Sequence, residues 1–112
     1  MRQRVRRSGR SPLEARFAML WRSLGGPPLE REFRFHPTRR WRADFAHLPS
    51  RTLIEIEGGI WLHGRHTTPR GFAADAEKYL EAALAAWRVL RLVDRQLTPT
   101  LLGRIVDLCS GA

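Results

Sequence analysis

The sequence predicts an α/β fold: a central mixed four-stranded sheet flanked by helices, in the order α-β-β-β-α-β-α. Three observations predict it. Three short strand-like runs between residues 29 and 57 are joined by turns too tight for a crossover, which gives an antiparallel meander. An alanine-rich helical stretch then separates the third run from a fourth, so that pair is free to be parallel. Apolar residues at helical spacing occupy both ends of the patterned region. With 112 residues, 43% of them hydrophobic, the chain suits one compact domain with one core.

Each element has its own signals. Residues 1–10 hold five arginines and no core pattern, and read as a flexible basic arm before a single domain over 11–112. Ser11-Pro12-Leu13-Glu14 starts the first helix, with a capping hydroxyl, a proline in the first turn and an acid at the positive end. Leu13, Phe17, Leu20, Trp21 and Leu24 recur at helical spacing, and Gly25-Gly26-Pro27-Pro28 stops it.

The first strand runs over 29–36, with Leu29, Arg31, Phe33 and Phe35 expected on one face and Glu30, Glu32 and Arg34 on the other. The second covers 41–48 and the third 51–57. Gly58-Gly59 leads into a loop over 60–70, a second helix is expected over about 71–86, and a fourth strand over 87–93. Thr98-Pro99 starts a last helix ending near Cys109.

Composition narrows the function. Cys109 is the single cysteine, so an internal disulfide or a cysteine-based zinc site is excluded. No apolar run approaches a membrane span and the N-terminus lacks a signal-peptide core, so a soluble, cytoplasmic protein with no membrane partner is expected. A net charge of +9, with Lys78 the single lysine among arginines, suits a polyanion; of the two candidates, nucleic acid and a membrane surface, nucleic acid leads.

The acids carry the chemistry. Asp44 lies in the second strand, and Glu55 and Glu57 share one face of the third. Clustered carboxylates repel and lose solvation unless something compensates. Two readings are open: a divalent ion held by carboxylate oxygens, or an exposed face paired with arginines.

From Glu14 through Arg91 the chain resembles the P-D-(D/E)-x-K nuclease superfamily, above all small phage-encoded Holliday-junction resolvases and the very-short-patch-repair endonuclease branch. The residues that carry it are Glu14, Arg42-Ala43-Asp44-Phe45, Leu53-Ile54-Glu55-Ile56-Glu57-Gly58-Gly59-Ile60-Trp61, Gly64-Arg65-His66, Asp75 with Lys78-Tyr79, and Trp87-Arg88-Val89-Leu90-Arg91. The order of these short motifs is more specific than any one of them.

The resemblance implies a restriction-endonuclease-like core and a Mg²⁺-dependent endodeoxyribonuclease, with Mn²⁺ able to substitute. Asp44 would bridge the metal, Glu55 would be a second ligand, the Ile56 carbonyl a third, and Glu14 an auxiliary acid. Hydrolysis would leave 5′-phosphate and 3′-hydroxyl ends. The usual lysine two residues after the strand acid is Glu57 here. Either Glu57 serves as a further ligand or base, or Lys78 replaces the lysine from the second helix. Lys78 also reads as a surface lysine beside Asp75 and Glu81.

His63 and His66 follow the acidic strand, and His66 is the better candidate to protonate a leaving group or bind phosphate. Two histidines are too few for zinc. Arg39, Arg40, Arg42, Arg65 and Arg70 are expected on the DNA backbone, and Trp61 either stacks on a base, wedges a branch point or packs in the core.

The expected substrate is a four-way junction, cut symmetrically by a homodimer. Its interface is either the last helix, through Leu101, Leu102, Ile105, Val106 and Leu108, or that face packs within the monomer. The rivals are a mismatch- or site-specific nicking enzyme and a noncatalytic nucleic-acid-binding module.

Overall fold

The computed structural model describes residues 11–58 and 68–111, and gives an α/β architecture with three helices and an open four-stranded sheet. The expected loop residues Trp61, His63, Arg65 and His66, and the arm over 1–10, lie outside the described residues. In chain order the elements are α1 (Pro12–Ser23), β1 (Glu30–Arg34), β2 (Arg42–His47), β3 (Thr52–Glu57), α2 (Pro69–Leu84), β4 (Arg88–Val93) and α3 (Pro99–Ser110). A single 3₁₀ turn, Asp94–Gln96, joins β4 to α3.

The sheet order is β1-β2-β3-β4. β1 and β2 pair antiparallel, as do β2 and β3, while β3 and β4 are parallel. The crossover helix α2 makes the parallel pair possible, because two parallel strands need a long connection.

All three helices start with the same device. Ser11, Thr68 and Thr98 each accept a hydrogen bond from the backbone N–H three residues on, at 3.1, 3.0 and 3.2 Å, and a proline follows each cap. The hydroxyl satisfies a donor that has no partner in the first turn, and proline gives up a donor that had none. Thr68-Pro69 therefore starts α2 two residues earlier than the Gly71 expected from apolar spacing, and Leu84 ends it two residues short of the expected Ala86.

Two apolar layers sandwich the sheet. Phe17 and Trp21 of α1 and Leu102, Ile105, Val106 and Cys109 of α3 pack with Phe45, Ile54 and Leu92 on one face. Ala82 of α2 packs with Phe35, Ala43, Ala46 and Leu53 on the other, beside Phe33, Trp41, Trp87 and Val89. The apolar side of α3 is thus largely used inside the monomer, Leu102 being fully buried. Of the two readings of that face, packing within the monomer is the one these contacts favour, with Leu108 left 39% exposed. Among the described residues no helix is long and apolar enough to cross a membrane.

β1 departs from the expected alternation. Arg31 stacks over Phe45 on the α1 side, at 4.7 Å from its ring, whereas Phe33 packs edge-on against Trp87 on the α2 side. Glu32 lies between them with φ at 51°, a left-handed conformation that costs a non-glycine residue about 1–2 kcal/mol. The same reversal occurs across the ladder, where Ala43 and Phe45 join different apolar layers. The alternation of faces reverses at the level of Glu32 and Asp44, and that irregularity builds the site.

Candidate metal centre

The centre forms where β2 parts from β3. The β2–β3 ladder runs through His47↔Thr52, Ala46↔Leu53 and Phe45↔Ile54. At the next position Asp44 turns its carboxylate toward β3, and the Ile56 N–H donates to Asp44 Oδ2 at 2.7 Å. A side-chain oxygen thus takes a ladder donor and pins Asp44 in place. Ile56 enters the site through this N–H, where the resemblance had named its carbonyl.

Register brings the second acid. Arg31↔Phe45 and Phe33↔Ala43 bracket Glu32 and Asp44, which face each other across β1 and β2. Glu14, in the first turn of α1, reaches the same place from above the sheet. One carboxylate oxygen from each of Glu14, Glu32 and Asp44 lies within 4.8 Å of the other two. Glu14 is buried, and Glu32 and Asp44 are half-buried. Glu32 was missing from the sequence reading, which placed it on the opposite strand face from the core. The cross-strand register with Asp44 was the signal that could have found it.

Next to this triad stands a second group. Lys78 of α2 donates to Glu55 Oε2 at 3.4 Å, and the Tyr79 hydroxyl donates to Glu55 Oε1 at 3.4 Å. Lys78 and Glu55 side chains are only 15% and 13% exposed, so the surface-lysine reading of Lys78 does not hold. Glu57 points to the same α2 side and accepts from Arg91 Nε at 2.7 Å. The acid in the usual lysine position is therefore neutralised by a β4 arginine.

Electrostatics follow from burial and crowding. Glu14 is pushed up to about 7, first by desolvation and then by the nearby Asp44 and Glu32 charges; Arg31, 3.0 Å from it, offsets part of this. Glu55 is also pushed up to about 7, by burial above all, with Asp44 and Glu57 adding to it and Lys78 opposing. Asp44 is raised by burial, although the Ile56 N–H favours its charged form. Burial and the Glu55 charge likewise raise Tyr79, keeping its hydroxyl protonated as a donor. Five carboxylates thus share a site whose charge is incompletely compensated.

The residues fit a hard divalent cation. The donors are carboxylate oxygens, and Mg²⁺ is commonly held by one or two carboxylates with water and phosphate oxygens filling the rest. Glu32 and Asp44 offer that pair, with Glu14 behind them.

The remaining sequence candidates spread out. Arg42 lies 3.5 Å from Glu32, at the rim of the centre. It pairs across the ladder with Arg34, and both are exposed. Like charges directly opposite on a sheet are destabilising. Arg34 was not among the expected DNA contacts. Arg40 and Arg70 are exposed. Arg39 is turned aside, stacked on Trp41 at 3.9 Å and paired with Glu77 at 2.8 Å. His36 packs edge-on against Trp41, and His47 is buried against Ser50.

No protein-family model, curated protein or solved structure matches this chain.

Proposed function

We propose that this chain is a divalent-metal-dependent DNA endonuclease whose metal is held by Glu32 and Asp44 with Glu14 in support. The observation that carries the reading is the convergence of these three carboxylates at the point where β2 leaves β3. The left-handed backbone at Glu32 adds to it, because such conformations cluster at active sites and ligand clamps, although Arg51 and Ala86 share a positive φ outside the site.

When bound, Mg²⁺ or Mn²⁺ would supply Lewis-acid activation of water and neutralise the scissile phosphate. The chain supplies the rest. Asp44 is fixed by the Ile56 N–H, so its free oxygen is preorganised. Glu55 has a pKa near 7 and stands beside the triad, which suits it to take the proton of the attacking water. Lys78 holds Glu55 in position and brings a compact ammonium toward the charge that develops on phosphate, in the role of the missing motif lysine. Glu57, engaged by Arg91, orients β4 against β3 rather than binding the ion. Arg34, Arg40 and Arg42 form the phosphate rim.

A four-way junction is the leading substrate, on the resemblance of the sequence to junction resolvases; a mismatched duplex is the rival. Incubating the purified chain with labelled four-way junction, mismatched duplex and plain duplex tests both levels. Cleavage is expected with Mg²⁺ or Mn²⁺, to stop with EDTA, and to be lost in Asp44→Asn and Glu32→Gln. Cleavage that persists in Asp44→Asn with EDTA present overturns the mechanism. DNA binding without cleavage in any divalent ion leaves the noncatalytic module instead.

A further inference from the structure

A pocket opens between helix α2 and the edge of the sheet at β4. Phe72, Ala76 and Tyr79 of α2 form one wall, and Glu57 of β3 and Arg91 of β4 form the other. Its volume of about 460 Å³ lies inside the ~300–1,000 Å³ range of small-ligand sites. Tyr79 belongs to two places at once: its ring lines the pocket, and its hydroxyl donates to Glu55. The pocket therefore adjoins the Glu55 side of the metal centre. Phe72 lines it while 69% exposed, so its ring is an apolar face open to a ligand.

The chemistry of the walls selects the occupant. Two carboxylates, Glu57 and Asp75, stand against one guanidinium, Arg91, so the pocket disfavours an anion and leaves the DNA phosphates to the arginine rim. A planar, uncharged group with donors and acceptors along its edge fits instead. The carboxylates accept from amino groups. Arg91 gives Nε to Glu57 at 2.7 Å and lies 4.4 Å over the Tyr79 ring. Among the described residues no other hydrogen bond engages this guanidinium, and its terminal nitrogens are donors for carbonyl and ring-nitrogen acceptors. Nucleobases carry amino, carbonyl and ring-nitrogen groups around a face that stacks on aromatic side chains. A base held inside a duplex cannot enter a recess between a helix and a sheet, so the base that enters is extrahelical.

We infer that this pocket receives an unpaired nucleobase swung out of the DNA strand at the metal centre, stacked on Phe72 and held at its edge by Glu57, Asp75 and Arg91. The inference deepens the nuclease reading and rests on it for the partner being DNA. Fluorescence anisotropy of the full chain, with Ca²⁺ in place of Mg²⁺ to read binding without turnover, tests it on two labelled duplexes. They are identical except that a bulged nucleotide carries its base in one and is abasic in the other. The parent chain is expected to bind the base-bearing duplex about 10-fold more tightly or better, the scale of one stacked base. Phe72→Ala removes the stacking face and Ala76→Trp fills the pocket. Each is expected to lower binding of the base-bearing duplex to the abasic level and to leave the abasic duplex and the far-ultraviolet circular dichroism unchanged, because both positions are exposed. Phe72→Tyr, which keeps the ring, is expected to keep the preference. Equal binding of the two duplexes by the parent overturns the inference, as does a preference that survives in either Phe72→Ala or Ala76→Trp. Equal binding with cleavage of both duplexes in Mg²⁺ strikes the pocket and leaves the nuclease reading standing. A base preference without cleavage in any divalent ion does the reverse, and a chain that binds neither duplex overturns both.

Discussion

Glu32 lies across the β1–β2 ladder from Asp44 at a φ of 51°, and its carboxylate comes within 4.8 Å of that of Asp44. Two unfavourable features coincide at one residue: a left-handed backbone and a like-charged neighbour. Replacing Glu32 by glycine removes both, since glycine adopts positive φ freely. Glu32→Gly is therefore expected to melt higher than the parent chain in EDTA, by about 1–2 kcal/mol of relieved backbone cost and somewhat more from lost repulsion. The parent is expected to gain stability on adding Mg²⁺, as any ligand that binds the native state stabilises it, and the variant to gain little. Thermal melts of both proteins, with and without Mg²⁺, check this. A variant that melts lower in EDTA would show that Glu32 supports the fold instead.

The pH dependence of the metal-free chain has a definite sign. Glu14 and Glu55 are held near 7 by burial in the folded chain, well above the ordinary glutamate value. Folding therefore favours their protonated forms. Their stabilising contribution is fully present below the unfolded value, near 4.5, and is lost as pH rises through about 7. One pKa unit corresponds to about 1.4 kcal/mol, so the pair together contribute on the order of a few kcal/mol. In EDTA the melting temperature is expected to fall between pH 5 and pH 7.5, a range set by these two shifts. Excess Mg²⁺ is expected to raise it more at the upper end, where the ligands are ionised. A melting temperature that climbs steadily over that range in EDTA would contradict the burial of these acids.

Much of the fold was legible because the sequence punctuates it strongly. The Ser11-Pro12 and Thr98-Pro99 caps, the Gly25-Gly26-Pro27-Pro28 stop and the short turns around residues 37–40 and 49–50 each act locally, and local signals survive folding. The start of α2 was missed because Thr68-Pro69 precedes Phe72, the first apolar residue of the helical pattern, although it repeats the same cap. The position of Glu32 was not legible from period-two alternation, because a left-handed residue reverses the alternation and leaves no mark in a non-glycine sequence. Lys78 could be singled out by composition, yet its approach to Glu55 depends on how α2 packs over the sheet, a long-range property.

Lys78 and Glu55 form a half-closed ion pair, and its two halves answer differently to substitution. Lys78→Met keeps the length of the side chain but leaves the Glu55 carboxylate without its cation. Cleavage is expected to fall by roughly 100-fold or more, the scale seen when one preorganised charge-stabilising donor is removed. Binding of Mg²⁺, followed by the melting shift, is expected to remain because Glu14, Glu32 and Asp44 are untouched. Lys78→Arg keeps the charge but not the compact ammonium, and is expected to recover only part of the rate. If Lys78→Met cleaves at the parent rate, Lys78 is a structural partner of Glu55 and the missing motif lysine has no replacement in α2.

Two glycines make opposite predictions for stability. Gly26 follows α1, and a Cβ there would lie 2.3 Å from Trp21 Nε1 and 2.4 Å from Cε2. The indole has little room to move: it is 5% exposed, donates to the Pro27 carbonyl at 2.7 Å and stacks on Phe17 with ring centres 5.5 Å apart. Gly26→Ala must therefore displace either the ring or the turn, and is expected to cost about 1–3 kcal/mol, the usual range for overpacking. Gly103 lies inside α3, where a Cβ would meet nothing within 4 Å. Gly103→Ala is expected to stabilise by about 0.5–1 kcal/mol, because alanine loses less backbone freedom in a helix. Urea unfolding of the two variants against the parent separates the effects. The midpoint should move down for Gly26→Ala and up for Gly103→Ala, and a Gly26→Ala chain as stable as the parent would mean that Trp21 is not held where the hydrogen bond to Pro27 puts it.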